Sequence, residues 1–247
     1  MNTEKRIKFI TSWIKDYAEK LSFKPPSLVI GVSGGVDSAL TSTLCAQTGI
    51  KTIVLSMPIR QNQNQHSLSI KHIKWLKEKF SNVEAHTIGL DSVFEKFQET
   101  MVDFNSDLAF ANSRSRLRMI TLYQVAQSNK GIVVGTGNKV EDFGIGFYTK
   151  YGDGGVDISP IADCTKTQVW EMAKKLSIIS EIIEAKPTDG LWDDSRNDED
   201  QIGLSYEQIE EAMNNSKSKY YKKYLETRKP NLHKMVPIPI CVFKEDN

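Results

Sequence analysis

The run Gly31-Val32-Ser33-Gly34-Gly35-Val36-Asp37-Ser38 constrains this chain more than any other feature. The apolar stretch Leu28-Val29-Ile30 before it reads as a buried strand, and residues 39–46 after it read as a helix. A strand, a glycine pair flanked by hydroxyls and a helix start bring several unpaired backbone N–H groups to one point. Such a turn suits phosphate, because a helix N-terminus offers free donors and a partial positive charge. Gly34 and Gly35 permit positive φ and close approach of backbone to ligand. Ser33 and Ser38 add hydroxyls, and the Asp37 carboxylate makes sense beside phosphates mainly through Mg²⁺. No lysine falls inside the run, so it is not a Walker A loop, and the fingerprint Gly-x-Gly-x-x-Gly is absent there. The plain alternative is a glycine-rich turn with no ligand.

Helix and strand signals alternate around this loop. Residues 3–21 carry Ile7, Ile10, Trp13, Ile14, Tyr17 and Leu21 at helical spacing, closed by Pro25-Pro26. Strands are expected at 52–57, 83–88 and 131–135, with helices over 66–80 and 112–128. Strands separated by helices of this length imply a parallel sheet covered on both faces, with ligands beyond the carboxyl ends of the strands. The loops opening at Gly31, Met57 and Gly135 should therefore border one crevice. The expected class is α/β: a doubly wound, five-stranded parallel sheet, Rossmann-like, with a C-terminal helical segment.

The 247 residues allow one such domain, 1–247. The formal net charge of +1, from 32 basic and 31 acidic residues, argues against nucleic acid or membrane as partners. No signal peptide or membrane span is evident. Cys45, Cys164 and Cys241 are odd in number and widely spaced, which argues against a disulfide framework or structural zinc and fits a reducing cytoplasm. Each reads as buried packing. Past residue 185 the chain turns polar and acidic, and 187–202 reads as a mobile lid or, equally, as a solvated connection. Ser205 and Gln208 then form a capping box that opens a helix.

The loop resembles the Ser-Gly-Gly-x-Asp-Ser turn of ATP pyrophosphatases, which split ATP between its α and β phosphates. Further runs narrow that resemblance. They are Gly135-Thr136-Gly137-Asn138-Lys139-Val140-Glu141, Lys150-Tyr151-Gly152-Asp153-Gly154-Gly155-Val156-Asp157, Lys186-Pro187-Thr188-Asp189-Gly190-Leu191-Trp192 and His233-Lys234. Together, over about 28–240, they resemble the ammonia-dependent NAD⁺ synthetases. The resemblance implies amidation of deamido-NAD⁺ with ammonia in the last step of NAD⁺ synthesis. ATP becomes AMP and pyrophosphate through an adenylated carboxylate, Mg²⁺ is the cofactor, and the enzyme is a cytoplasmic homodimer. Adenylation is chemically required, since direct attack on a carboxylate would have to expel oxide.

Position by position, the resemblance assigns Gly31, Val32, Ser33, Gly34, Gly35, Val36, Asp37, Ser38, Thr136, Lys166 and Thr188 to ATP. It assigns Asp37 and Glu141 to the metal. Arg116, Lys150, Asp157, His233 and Lys234 fall to deamido-NAD⁺, and Asp153 to orienting ammonia or taking its proton. Against these stand plainer readings. Arg114 and Arg118 share a helix face that Arg116 does not, so the three cannot all serve one site. A histidine such as His233 is as readily structural, and His66, His72 and His86 show no ligand spacing. Trp75 and Trp170 read as core. Lys166 opens a helix, an unfavourable place for a cation unless phosphate lies nearby.

The chain departs from the family pattern in having Gly137-Asn138 for Asp-His, Val36 for Gln, and Ser113 and Ser115 for Ile and Ala. No glutamine-hydrolysing domain is recognisable, so free ammonia is the expected nitrogen source unless a separate subunit supplies it. The 112–128 helix is the expected dimer contact. Competing readings are a GMP synthetase-like amidase, a tRNA-modifying ligase, or a regulatory nucleotide-binding module that has lost catalysis.

Overall fold

The computed structural model describes residues 1–23, 26–61, 63–188 and 197–243. Along the chain run α1 (Thr3–Glu19), β1 (Ser27–Gly31), α2 (Val36–Gln47), β2 (Lys51–Ser56), α3 (Gln63–Lys79), β3 (Val83–Thr87), α4 (Asp91–Thr100), α5 (Asp107–Ser128) and β4 (Gly131–Val133). A π-helix (Lys139–Ile145) follows. Then come α6 (Lys166–Lys175), α7 (Ser180–Glu184), α8 (Asp198–Ile202), α9 (Tyr206–Asn214), α10 (Tyr221–Arg228) and α11 (Leu232–Met235).

The four strands are parallel and lie in the order β3-β2-β1-β4, with Val29 opposite Ile53 on one side and Val133 on the other. The order reverses between β1 and β4. Crevices at such a reversal, outside the carboxyl ends of the strands, are where open α/β sheets bind ligands. Alternate residues of β1 serve opposite faces. Leu28 and Ile30 join the core made with α1, α2 and α6, while Val29 joins Ile53, Leu55 and Val133 under α4 and α5. Burial on both faces explains why the central strands β1 and β2 are apolar over most of their length, whereas the edge strand β3 carries Glu84 and His86.

Several expectations need correction. The fifth strand is absent among the described residues, where the chain after β4 makes only one isolated parallel bridge, Val134 to Ile158. Gly152, Gly154, Gly155 and Pro160 crowd that stretch, and neither residue type sustains a strand. On α1 the buried stripe is Ile7, Ile10, Ile14 and Ala18, whereas Trp13 and Tyr17 stay exposed and stack on each other. Cys45 and Cys164 are buried, but Cys241 is exposed. Of the 187–202 segment, 189–196 lie outside the described residues, and Asp198–Ile202 is helix rather than loop. Asp198 N donates to Pro187 O at 3.1 Å, so the two ends of the segment meet.

The capping box at α9 forms as expected. Behind the sheet, the C-terminal helices and the π-helix share a third apolar cluster around Val140, Ile145, Tyr206, Ile209 and Tyr224. Leu44 of α2 is fully buried in the main core. Its replacement, Leu44→Ala, should lower unfolding free energy by about 2–5 kcal/mol in a denaturant titration. A loss under about 1 kcal/mol would mean that the core closes over the gap.

Candidate active site

At the carboxyl ends of β1 and β4 lies a cavity of about 430 Å³. The turn from β1 to α2 forms one wall. Gly34 sits at φ +95, and a Cβ there would fall 2.5 Å from the Gln65 carbonyl, so only glycine fits. Ser33 Oγ accepts from Gly35 N at 3.2 Å, and Ser38 Oγ accepts from Ser33 N at 3.2 Å, which holds the turn open. The N-cap of α2 is Gly35, with no side-chain cap, so the amides of the first turn are directed at whatever occupies the cavity.

Three side chains from distant segments meet at the base of this wall. Lys166 Nζ lies 2.6 Å from Asp37 Oδ2 and 2.8 Å from Glu141 Oε1, with the lysine side chain only 2% exposed. Lys166 is the first residue of α6, which Thr165 and Gln168 close with a capping box. A cation at that end of a helix is disfavoured by the dipole. Here the two carboxylates offset it. Burial opposes the lysine charge, but Asp37 and Glu141 raise its pKa above the ordinary lysine value. Burial also opposes ionisation of Glu141, yet Lys166 and hydrogen bonds from Lys166, Tyr206 and Asn138 hold it below the usual carboxylate range. For Asp37, burial together with repulsion from Glu141 outweighs Lys166 and lifts the pKa.

Two residues that the sequence reading did not assign complete the junction. Asn138, fully buried, donates from Nδ2 to Asp37 Oδ1 at 3.0 Å and accepts at Oδ1 from Val140 N and Glu141 N. Tyr206 OH donates to Glu141 Oε1 at 2.5 Å and also lies 3.1 Å from Asp198 Oδ2. A third is Ser115, which like Asn138 departs from the family pattern. Its Oγ donates to Asp153 Oδ1 at 2.7 Å and accepts from Asp153 N, while Thr149 N donates to the same carboxylate oxygen. Burial raises the Asp153 pKa despite these donors.

The structure separates the expected site residues into two sets. Residues 31–38, Thr136, Glu141, Asp153, Lys166 and Thr188 all line the cavity. Arg116, Lys150, Asp157, His233 and Lys234 do not line it. Arg116 Nε donates to Lys150 O at 3.2 Å, which places those two together on the outer surface, and Arg118, not Arg116, faces the cavity. Arg114 is buried over the Phe94 ring. Lys234 Nζ donates to Tyr148 O at 2.6 Å, and His233 Nδ1 lies 3.0 Å from Pro230 O. Asp157 accepts from Tyr123 OH and Val133 N, a bracing role between α5 and β4.

The NAD synthase family model matches residues 6–237. The chain belongs to that family. It is 37% identical over 221 residues to an NH(3)-dependent NAD(+) synthetase of Finegoldia magna, covering 89% of this chain and 88% of that one. A Methanosarcina acetivorans protein of the same name is 35% identical, covering 86% and 82%. Among solved structures, NMN synthetase from Francisella tularensis superposes with a TM-score of 0.89 at 30% identity, covering 98% of this chain and all of that one. The NH3-dependent NAD synthetase of Campylobacter jejuni, at 23% identity and TM-score 0.78, shares the fold.

In this family member the ion junction sets a pH signature. Glu141, held below its ordinary value, stabilises the fold above about pH 4.3, and that contribution fades as pH falls through its lower folded pKa. Lys166→Met leaves two buried carboxylates facing each other and should cost about 3–5 kcal/mol near pH 8. Protonating either carboxylate relieves the repulsion, so the deficit should shrink on acidification. Denaturant unfolding of both proteins across pH 4–8 measures it. A deficit unchanged across that range would show that Lys166 does not act by charge.

Proposed function

We propose that this chain amidates the nicotinate carboxylate of deamido-NAD⁺ with ammonia, converting ATP to AMP and pyrophosphate. The junction of Asp37, Lys166 and Glu141 at an uncapped helix start carries the reading. It places negative ligands and one cation beside a turn shaped for phosphate, at the point where the sheet order reverses. The names of the relatives point to the same reaction.

The chemistry runs in two displacements. The nicotinate carboxylate attacks the α-phosphorus of ATP and expels pyrophosphate. Ammonia then attacks the activated acyl carbon, and AMP leaves with the oxygen that the carboxylate gave up. The 31–38 turn binds and orients the triphosphate, Thr136 and Thr188 flank it from the other walls, and Lys166 supplies positive charge. Asp153, braced by Ser115 and Thr149, faces the cavity with a raised pKa, which suits a group that takes a proton from attacking ammonia.

Among the described residues no three His, Cys, Asp or Glu side chains form a self-contained metal cage. Mg²⁺ needs none, because it binds through one or two carboxylates and completes its shell with water and substrate phosphates. Asp37 and Glu141 fit that requirement and would hold it. The ion's contribution is neutralisation of the triphosphate and of the departing pyrophosphate.

Arg116, Lys150, His233 and Lys234 lie outside the cavity, with Arg116 beside Lys150, which suits the second nucleotide lying at a subunit boundary. A homodimer is the matching assembly. Phe104, Leu108 and Ile120, around α5, are exposed apolar side chains available to that contact. Light scattering should therefore return twice the chain mass. Among the described residues no helix is long and apolar enough to cross a membrane. The cytoplasm is the proposed compartment.

The likeness to an NMN synthetase over the whole chain favours a second reading, in which the acceptor is nicotinate mononucleotide. Both readings share every step at ATP. Incubation with Mg-ATP, ammonium and each nucleotide in turn separates them, and the first reading requires the larger kcat/KM for deamido-NAD⁺. With ¹⁸O in the substrate carboxylate, one ¹⁸O should appear in AMP; ADP as product would refute both readings. Asp37→Asn and Glu141→Gln should each lower kcat by about 10²-fold or more while the protein stays folded. Near-native turnover in either would remove that carboxylate from the reaction.

A further inference from the structure

The segment that carries Glu141 is a seven-residue π-helix. Such helices are rare, strained and concentrated at functional sites. Gly146 N and Phe147 N both donate to the Glu141 carbonyl, the second at 2.9 Å. An α-helical register would instead bond Ile145 N to that carbonyl, and each residue of slip turns the following side chains by about 100°. Something must hold the wider turn.

The C-terminal segment supplies the hold. The last carbonyls of a helix have no donors within it. Here Arg228 Nη1, at the end of α10, donates to Phe143 O at 2.6 Å and also to Gly144 O. Asn231 Nδ2 donates to Ile145 O at 2.9 Å. Gly146 adopts φ +71, and a Cβ there would fall 2.6 Å from Asn231 Cβ, so the two segments are in close contact. At the other end, Asn138 caps the same π-helix and binds Asp37.

We propose that Arg228 is a positioning residue for the metal-binding end of the site. By holding the carbonyls of Phe143 and Gly144 it keeps the wide turn that directs Glu141 toward Asp37 and Lys166. The inference rests on Glu141 being a metal ligand, but the conformational half of it is readable without metal. Arg228 does not line the cavity, and its reach to the site runs through the π-helix.

The test uses the full chain with Arg228→Met, which keeps the apolar stem without the donors, and Arg228→Lys, which keeps the charge. In metal-free protein, amide exchange at Phe147 should quicken at least about tenfold in Arg228→Met while β1 amides stay as in the native chain. The Mg²⁺ concentration for half-maximal turnover should rise about tenfold, with kcat at saturating Mg²⁺ within about twofold of native. Arg228→Lys should fall between the two. Unchanged exchange at Phe147, or a lower melting temperature with an unchanged Mg²⁺ requirement, would overturn the proposal. If Arg228→Met does not fold, Arg228→Lys alone decides it by the same two readouts. A Glu141→Gln control that leaves the Mg²⁺ requirement intact would instead overturn the metal reading, while exchange at Phe147 still judges the role of Arg228.

Discussion

Two carboxylates that share a largely desolvated junction repel each other unless one is protonated or a cation sits between them, and Lys166 is that cation. Asp37, Glu141 and Lys166 come from the turn after β1, from the π-helix and from the start of α6. Removing Lys166 leaves two like charges side by side where little water reaches, and breaking such a pair costs far more than the intact pair contributes. The lysine thus joins the three segments at one point. Asn138 and Tyr206 satisfy the remaining oxygens and narrow the geometry further.

The sheet explains why these segments meet. With β2 and β3 on one side of β1 and β4 on the other, the loops leaving β1 and β4 diverge around a crevice. The first loop contributes the uncapped amides of α2 and Asp37; the second contributes Thr136, Asn138 and Glu141. The π-helix turns the second loop back toward the first, and the C-terminal helices brace it from behind through the apolar cluster around Ile145 and Tyr206. On the function proposed above, a parallel-sheet crevice becomes a site for splitting ATP by adding two carboxylates and a lysine rather than by changing the fold.

The turn between β1 and α2 was legible from sequence because each residue type in it has a narrow purpose: glycine where φ is positive, hydroxyls and a carboxylate at a helix start. The two central strands, β1 and β2, were legible because they are buried on both faces and so read as apolar runs. The partners of the junction were not. Asn138 and Asp37 lie 101 residues apart, Tyr206 and Glu141 lie 65 apart, and neither Asn nor Tyr announces a role until its neighbour is known. Ser115 looked like a departure until it was found beneath Asp153, and Arg228 carried no motif at all. The expected five-stranded sheet stops at four strands among the described residues, where glycines and a proline flank the isolated bridge of Val134 to Ile158 and deny it length. Trp13 and Tyr17 fell on the helical stripe but at its edge, where they stack on each other instead of entering the core.

That Asp37 and Glu141 are gathered around Lys166 in order to receive a metal–triphosphate is the claim on which the account turns. A crystal structure with ATP and Mn²⁺ tests it most directly, since manganese replaces magnesium and is located by its anomalous scattering. The account predicts one manganese peak within about 2.2 Å of a carboxylate oxygen from each of Asp37 and Glu141, with phosphate oxygens against the amides of 33–38. Nucleotide bound elsewhere, or manganese seated away from both carboxylates, would contradict it.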